Sequence, residues 1–268
     1  MLSYRDLVSS LKRLNLGYIQ PVIAHASLSS LGELRGGAET VLGALLTTID
    51  ALMLPTFTYK TMIIPEVGPE DNAIRYSSGR DANCMAEIFH KDMPADKSLG
   101  VVAETLRRHP HAYRSSHPIL SFAGVNVGSA LEAQTRQEPL APVRRLFEDD
   151  GVVLLLGVDH TVNTAIHYAE LLAGQKQFVR WALTRAGVVE CPAFPGCSNS
   201  FEQAAPWLEG ITRRTQIGNA LARAIPLRGM VGIIVDRLRN DPFALLCQDP
   251  ACGCCAVRRR CGVPHAGG

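Results

Sequence analysis

The residues best suited to acid–base chemistry lie in the segment Asn163-Thr164-Ala-Ile-His167-Tyr-Ala-Glu170. On a helix, side chains three positions apart share a face, so Glu170 can bond one ring nitrogen of His167 while the other faces a cleft. A carboxylate so placed fixes the imidazole tautomer and stabilises the imidazolium once it forms. Free N–H groups at the helix start and the Thr164 hydroxyl suit a developing oxyanion. The spacing predicts a general base, with a surface His–Glu pair as the alternative.

A second candidate is a loop of small residues between a buried strand and a helix. It comprises Ala26, Ser27, Leu28, Ser29 and Ser30, followed by Arg35, Gly36 and Gly37. Small side chains let a ligand approach the backbone, the helix N-terminus favours a phosphate, and Arg35 can add a charged donor. The segment contains neither a Walker lysine nor a G-x-G-x-x-G motif, so an ordinary strand–helix turn is the alternative.

Three histidines, His109, His111 and His117, lie close together in the chain. Their spacing of two and six residues matches no standard zinc pattern. The segment is interpreted as a loop that enters a strand, in which His117 and Ser121 are candidate pocket residues.

Most of the eight cysteines crowd the C-terminal segment, at Cys247, Cys252, Cys254, Cys255 and Cys261. Structural zinc is one interpretation, because Cys247, Cys252 and Cys255 supply three thiolates and a fourth ligand could be Cys261, His265 or Cys197. The paired C-x2-C spacing of common zinc sites is missing, however, so reduced thiols are favoured and no metal ligand is assigned. Residues 247–268 are treated as a Cys-rich tail that follows a domain of residues 1–246.

Composition and charge narrow the class of protein. Of the 268 residues, 47% are hydrophobic, which is enough to form a sizeable core. The formal charge is only +2, so we expect no nucleic-acid or membrane partner. The longest apolar runs, 151–158 and 230–235, are too short to span a bilayer. Charge near the N-terminus argues against a secretory signal, so we expect a cytoplasmic protein, with the basic run 258–260 solvated.

The order of elements is that of an α/β protein. A strand at 21–25, the small-residue loop, a helix at 38–49 and a strand at 51–55 form a βαβ unit. Segment 58–83 lacks sustained periodicity and is expected to form a wall or lid of a site. The remaining predicted elements are helices at 4–14, 85–89, 99–108 and 164–173, strands at 119–125, 151–158 and 230–235, a hairpin with arms 178–184 and 188–191, and mixed helix at 207–224.

Taken together, these segments resemble the aminoglycoside 3-N-acetyltransferase family, also called the antibiotic N-acetyltransferases. The resemblance covers most of the chain. It is carried by His25-Ala-Ser-Leu-Ser-Ser-Leu-Gly32 with Gly36-Gly37, Leu54-Pro-Thr-Phe-Thr58, Arg114-Ser-Ser-His117-Pro with Ser121-Phe122-Ala123, Leu154-Leu-Leu-Gly-Val158 and the His167–Glu170 segment. It implies a three-layer α/β/α sandwich in a single domain with inserted loops. It also implies acetyl-CoA as donor and direct transfer to an amine, without an acyl-enzyme.

The same resemblance implies roles for individual residues. His167 would be the general base, Glu170 its orienting carboxylate, and Thr164 would lie beside the thioester. The loop 26–30 would hold the pantetheine arm by backbone hydrogen bonds, with the pyrophosphate near 35–38. His117 and Ser121 are assigned to the same cofactor pocket.

The predicted acceptor is an amino group of an aminoglycoside-like compound, bound by a monomer or a homodimer. Such a compound is polycationic, so its pocket should be acidic. The candidate carboxylates are Glu66, Glu70, Asp71, Asp81 and Asp159. Two alternatives remain open: an acyltransferase with a different amine acceptor, and an interaction module built around a zinc-holding C-terminus.

Overall fold

The computed structural model describes residues 1–17 and 20–261, which form ten β-strands and nine α-helices. The strands are β1 (Val22–Ala26), β2 (Leu52–Pro55), β3 (Met62–Ile63), β4 (Tyr113–Arg114), β5 (Phe122–Val125), β6 (Val152–Leu156), β7 (Phe178–Thr184), β8 (Gly187–Phe194), β9 (Arg213–Ile217) and β10 (Ala220–Pro226). The helices are α1 (Tyr4–Arg13), α2 (Gly37–Thr48), α3 (Arg80–Cys84), α4 (Val101–Arg107), α5 (Gly128–Glu132), α6 (Ala141–Glu148), α7 (Thr164–Leu172), α8 (Leu227–Asn240) and α9 (Gly253–Cys261).

A seven-stranded sheet forms the centre of the molecule, in the order β4-β5-β2-β1-β6-β10-β9. Its middle strands β2, β1 and β6 are parallel, and the outer strands join them antiparallel. In the longest parallel register, Val22 pairs with Val152 and Ala26 with Leu156. All residues of β1, β2 and β6 are buried, as expected for parallel strands that are covered on both faces.

Helices cover both faces of this sheet, so the molecule has three layers. Successive strand residues point to opposite faces. Val22 and Leu154 therefore pack with α1, α2 and α4, whereas Ile23 and Val153 pack with α5 to α8. A smaller sheet, β3-β7-β8, lies beside the second of these cores. The predicted α/β/α architecture is confirmed.

Three predicted elements are wrong. Segment 207–224, expected to be helical, contains the antiparallel strands β9 and β10, and segment 85–89 lies after the end of the short helix α3. Segment 230–235 is part of α8 rather than a strand. Its apolar residues continue at helical spacing on both sides, because Leu227, Met230, Val231, Ile234 and Leu238 are all buried on one face. A short apolar run of six residues cannot distinguish the two structures by itself.

The described part of the C-terminal segment, up to residue 261, includes a packed helix. In α9, Cys255, Val257 and Arg258 are buried, and the Arg258 side chain is only 2% exposed. The expectation that the basic run is solvated is therefore wrong for Arg258, while Arg260 is exposed and pairs with Asp71. No helix in the described part of the chain is long and apolar enough to cross a membrane.

Candidate active site

A cleft of about 670 Å³ opens at the carboxyl edge of the parallel strands. Its lining includes residues that follow β1, the end of β2 and Val158 after β6. Ligands of open α/β sheets bind at this edge, because the connecting loops diverge there. The loop after β1 is tied in place by the Ser27 amide, which donates to the Leu156 carbonyl at 3.0 Å.

The predicted small-residue loop forms one wall of this cleft. Residues 26–29 line it, and the Ser30 hydroxyl supports them by donating to Ser27 Oγ at 2.8 Å. Gly157, in the loop after β6, allows this loop to approach the small-residue loop after β1 closely. A Cβ atom there would lie 2.8 Å from the Ser30 Cβ and 3.0 Å from the Ala220 Cβ, and its φ is +68°.

Helix α2 begins at the far end of the same cleft. Gly36 precedes the helix with a φ of +83°, and Gly37, the first helical residue, lines the cleft. The free N–H groups of this first turn and the helix dipole favour an anion at this position. Arg35 is exposed and does not line the cleft, so its contact with a phosphate at this helix start stays a prediction.

A second, smaller cavity of about 220 Å³ adjoins the first. The two cavities share Ser98, Leu99 and Val162 in their walls. Thr164 and His167 line only the second cavity, together with Phe57 and Tyr59. The predicted base therefore lies in the second cavity, which adjoins the first cleft at Ser98, Leu99 and Val162.

The His167–Glu170 pair has the geometry that the spacing predicts. The Nδ1 atom of His167 lies 2.7 Å from Glu170 Oε2, and the ring packs edge-on against Phe201 at 4.8 Å between centroids. Because Nδ1 is occupied by the carboxylate, Nε2 is the nitrogen that remains to accept a proton. With side-chain exposures of 11% for His167 and 1% for Glu170, this pair is not a surface ion pair.

The start of α7 sets the position of this pair. The Asn163 side chain caps the helix by accepting from the Ala165 amide at 3.2 Å. Thr164 follows as the first helical residue, one turn before His167. Both Thr164 and the imidazole therefore face the second cavity from the positive end of a helix.

Glu170 has a second partner that sequence reasoning missed. The Arg258 guanidinium bonds both carboxylate oxygens, one of them at 3.2 Å, across 88 residues of sequence. Burial alone raises the pKa of Glu170. The hydrogen bond to His167 and the charges of His167 and Arg258 outweigh it, so the pKa of this carboxyl lies below its usual range. Glu170 therefore stays ionised beside the imidazole.

The other predicted pocket residues lie in the interior. His117 Nδ1 accepts from the amides of Ile119 and Leu120, and Ser121 Oγ donates to the Thr56 carbonyl at 2.9 Å. Neither residue lines either cavity. Their assignment to the cofactor pocket stays a prediction from the resemblance.

A buried histidine that was not assigned a role, His25, lines the first cleft. Its Nε2 atom has no hydrogen-bond partner among residues 1–17 and 20–261. Burial, with His160 as a smaller cause, lowers the pKa of His25 to about 3. The ring is therefore neutral at physiological pH.

The five candidate acidic residues are not gathered at the second cavity. Asp71 pairs with Arg260 on α9, and Asp159 accepts from the Thr161 amide at 2.9 Å. Neither these two nor Glu66, Glu70 and Asp81 line it. The carboxylate beside its wall is instead Asp96, which accepts from the Ser98 amide at 3.0 Å.

A family model for aminoglycoside 3-N-acetyltransferases matches residues 23–239, which include both cavities and the His167–Glu170 pair. The chain belongs to the aminoglycoside 3-N-acetyltransferase family. As a member of this family it is an acetyltransferase, and its co-substrate is acetyl-CoA. The family, the enzyme class and the co-substrate predicted from the sequence are confirmed.

Individual members of the family show how far the similarity extends. The aminoglycoside N(3)-acetyltransferase IV of Salmonella sp is 34% identical over 186 residues, which cover 64% of this chain and 69% of that protein. The crystal structure of the aminoglycoside acetyltransferase AAC(3)-IVa apoenzyme covers 97% of each chain at 27% identity, with a TM-score of 0.79. A histidine-to-alanine mutant of that enzyme in complex with a gentamicin gives 26% identity and a TM-score of 0.74, again over 97% of each chain.

Proposed function

We propose that this acetyltransferase transfers the acetyl group of acetyl-CoA directly to the 3-amino group of an aminoglycoside, with His167 as general base. One observation carries the proposal: half-buried His167, paired with buried Glu170, lines the second cavity, which shares part of its wall with the 670 Å³ cleft. A thioester that enters through the first cleft and an amine in the second cavity would meet at this junction.

The first cleft has the chemistry required for the donor. In the proposed pose the pantetheine arm runs along 26–30, where backbone groups can bond its amides, and the pyrophosphate lies at the N-terminus of α2. Exposed Arg35 adds a mobile positive charge near the cleft entrance. The thioester then lies beside Ser98 and Leu99, next to Thr164.

The chemical step needs a proton acceptor on the amine side. An ammonium cannot attack, so the acceptor first loses one proton to solvent and attacks the thioester carbonyl as a free amine. His167 Nε2 takes a second proton from that nitrogen as the C–N bond forms, and ionised Glu170 stabilises the resulting imidazolium. Collapse of the tetrahedral intermediate breaks the C–S bond, and the imidazolium can return the proton to the CoA sulfur. Thr164 and the first amides of α7 would stabilise the oxyanion.

The acceptor assignment is supported by the AAC(3)-IVa mutant, whose structure contains a gentamicin. Asp96, which accepts from the amide of the cavity-lining Ser98, adds negative charge near the second cavity, which suits a polycation. A different amine acceptor would use the same base and the same donor cleft. The identity of the acceptor therefore has to be tested with matched compounds.

The test measures release of CoA thiol from acetyl-CoA in the presence of aminoglycosides that carry a free 3-amino group. The matched control is the same aminoglycoside already acetylated at that nitrogen. We expect turnover with the first and none with the second, with mass spectrometry showing one added acetyl group. Equal turnover with both compounds would move the reaction to another amine, and no turnover with any member of the panel would overturn the aminoglycoside assignment.

A further inference from the structure

Four cysteines from distant parts of the chain meet in one cluster. The Sγ atoms of Cys197, Cys247, Cys252 and Cys255 all lie within 4.8 Å of one another. Cys197 belongs to the loop after β8, Cys247 and Cys252 precede α9, and Cys255 lies in its first turn. Among the fourth ligands considered from sequence, Cys261 is exposed and outside this group, and His265 lies outside the described residues.

The arrangement matches a tetrahedral metal site. Zinc–sulfur bonds of about 2.3 Å in a tetrahedron place the sulfurs about 3.8 Å apart, which requires only a small contraction of this group. Backbone amides already point at two of the sulfurs, from Cys247 to Cys255 Sγ at 3.3 Å and from Asn199 to Cys197 Sγ at 3.4 Å. Such N–H···S bonds stabilise thiolates that coordinate a metal.

The surroundings offset the charge that a zinc tetrathiolate carries, formally about −2. Arg259 donates to the Cys247 carbonyl, and Arg258 follows three residues after Cys255. Leu246 packs with the cysteines in a separate small apolar cluster, which keeps water away from the sulfurs. Of the basic run at 258–260, Arg259 therefore supplies the positive charge next to the thiolates, because Arg258 pairs with Glu170 and Arg260 with Asp71.

We propose that Cys197, Cys247, Cys252 and Cys255 bind one structural zinc ion, and that this ion holds α9 and the loop after β8 against the catalytic pair. The family match ends at residue 239, so three of these ligands lie beyond it. All four ligands are sulfur, and a tetrahedral all-thiolate set selects zinc or iron among common biological metals. Zinc replaces the plain thiols that the sequence favoured.

The proposed ion would fix two contacts that reach the active site. Arg258, on α9, bonds the Glu170 carboxylate. The loop that carries Cys197 also carries Gly196, which lines the second cavity and packs on the same guanidinium, where a Cβ atom would lie 2.7 Å from the Arg258 Cζ. By holding α9 and the loop of Cys197 together, zinc would keep the Arg258 guanidinium in contact with Glu170. Arg258 is therefore a positioning residue.

The first experiment measures the metal content of the full-length protein purified under reducing conditions without chelators. We expect about one zinc per chain, and at least about tenfold less in Cys252→Ser and in Cys197→Ser. Cys254→Ser is the matched control, because Cys254 lies between two ligands in the sequence but its sulfur contacts Arg180 at 4.0 Å instead. Metal-free wild-type protein, iron in place of zinc, or loss of zinc in Cys254→Ser would each overturn the proposal.

A second measurement keeps the proposal testable if the serine variants fail to fold. Cobalt exchanged into the wild-type protein should give the strong absorption bands of a tetrahedral tetrathiolate, and a spectrum of octahedral cobalt would overturn the site. Removing zinc should lower the melting temperature and expose more thiols to a thiol reagent. It should also reduce kcat, whereas an unchanged kcat in metal-free folded protein would overturn the link to Glu170. The metal readouts do not depend on the acceptor, so they separate this inference from the proposed function.

Discussion

At the scale of single residues, the central feature is the His167 ring, whose Nδ1 atom is hydrogen-bonded to the buried Glu170 carboxylate. His167 is asked to remove a proton from the acceptor, a task that exists in the transition state and not in donor binding. His167→Ala should therefore reduce kcat by about 10²-fold or more while leaving the Kd of acetyl-CoA unchanged. Steady-state kinetics and calorimetry measure the two effects.

The control for this substitution is His109→Ala, which removes a half-buried histidine that lines neither cavity and should change neither quantity. Glu170→Gln should reduce kcat less than His167→Ala, because the amide keeps its shape but stabilises the imidazolium more weakly. Near-normal acetylation of a good acceptor by His167→Ala would show that the base lies elsewhere.

The Arg258–Glu170 pair is a second residue-scale feature, because both side chains are almost completely buried. Breaking a buried pair leaves an uncompensated charge, so Arg258→Met should lower the free energy of unfolding by about 3 kcal/mol or more. Adding Glu170→Gln to this variant should restore part of the loss. Denaturant unfolding of the single and double variants provides the measurement.

An exposed ion pair on the same helix, α9, is the control for the buried Arg258–Glu170 pair. Arg260 pairs with Asp71 at 2.7 Å, but the two side chains are 62% and 48% exposed. Arg260→Met should therefore change stability by less than about 1 kcal/mol. A similar loss in both variants would mean that burial does not explain the effect at Arg258.

At the scale of elements, the donor cleft depends on the close approach of the loops that follow β1 and β6. Gly157→Ala combines a positive φ with a Cβ atom 2.8 Å from Ser30, so the loop 26–30 must move. We expect a loss of more than about 2 kcal/mol in stability together with a higher KM for acetyl-CoA. Unfolding curves and donor kinetics test the two parts.

Gly174→Ala is the control that separates backbone strain at a positive φ from a steric clash of the added Cβ atom. Gly174 ends α7 with a φ of +79°, but an added Cβ atom would meet nothing within 4 Å. Only the left-handed backbone is penalised there, by about 1 kcal/mol, and the KM for the donor should stay the same. If both alanine variants have the same KM, the loop contact at Gly157 does not shape the cleft.

At the scale of the whole molecule, acid sensitivity follows from histidines that are buried in neutral form. Burial lowers the pKa of His25 to about 3 and that of His117 to about 4, and it lowers the pKa of His160 as well. The unfolded chain protonates these rings below about pH 6.5, whereas the folded chain does not. Stability is therefore complete above that pH and falls as the pH drops toward the folded pKa values.

At pH 5 the loss should be about 2 kcal/mol for His25 and for His117, relative to pH 7. His117→Gln should reduce the slope of stability against pH in this window, while His111→Gln, in an exposed turn, should leave it unchanged. The Glu170 pair does not contribute here, because a carboxyl with a lowered pKa loses its stabilising effect only below its ordinary range. A flat profile between pH 7 and 5 would contradict the assignment of neutral buried rings.

Local patterns in the sequence determined the features whose causes are local. The βαβ unit, the hairpin of β7 and β8, the cap at Asn163 and the His167–Glu170 contact all follow from spacing within one or two elements. The antiparallel pair β9–β10 and the helix at 230–235 were misassigned, because short apolar segments owe their conformation to the layer against which they pack.

Only the tertiary structure decided which distant residues meet. Arg258 reaches Glu170 across 88 residues, and Cys197 joins cysteines some fifty residues further along the chain. Periodicity carries no information about such contacts, since they are formed by the packing of layers rather than by local backbone geometry. The sequence by itself thus determined the contact between His167 and its nearest partner, Glu170. The buried charge of Arg258 beside Glu170, and the meeting of Cys197 with Cys247, Cys252 and Cys255, were decided only by the fold.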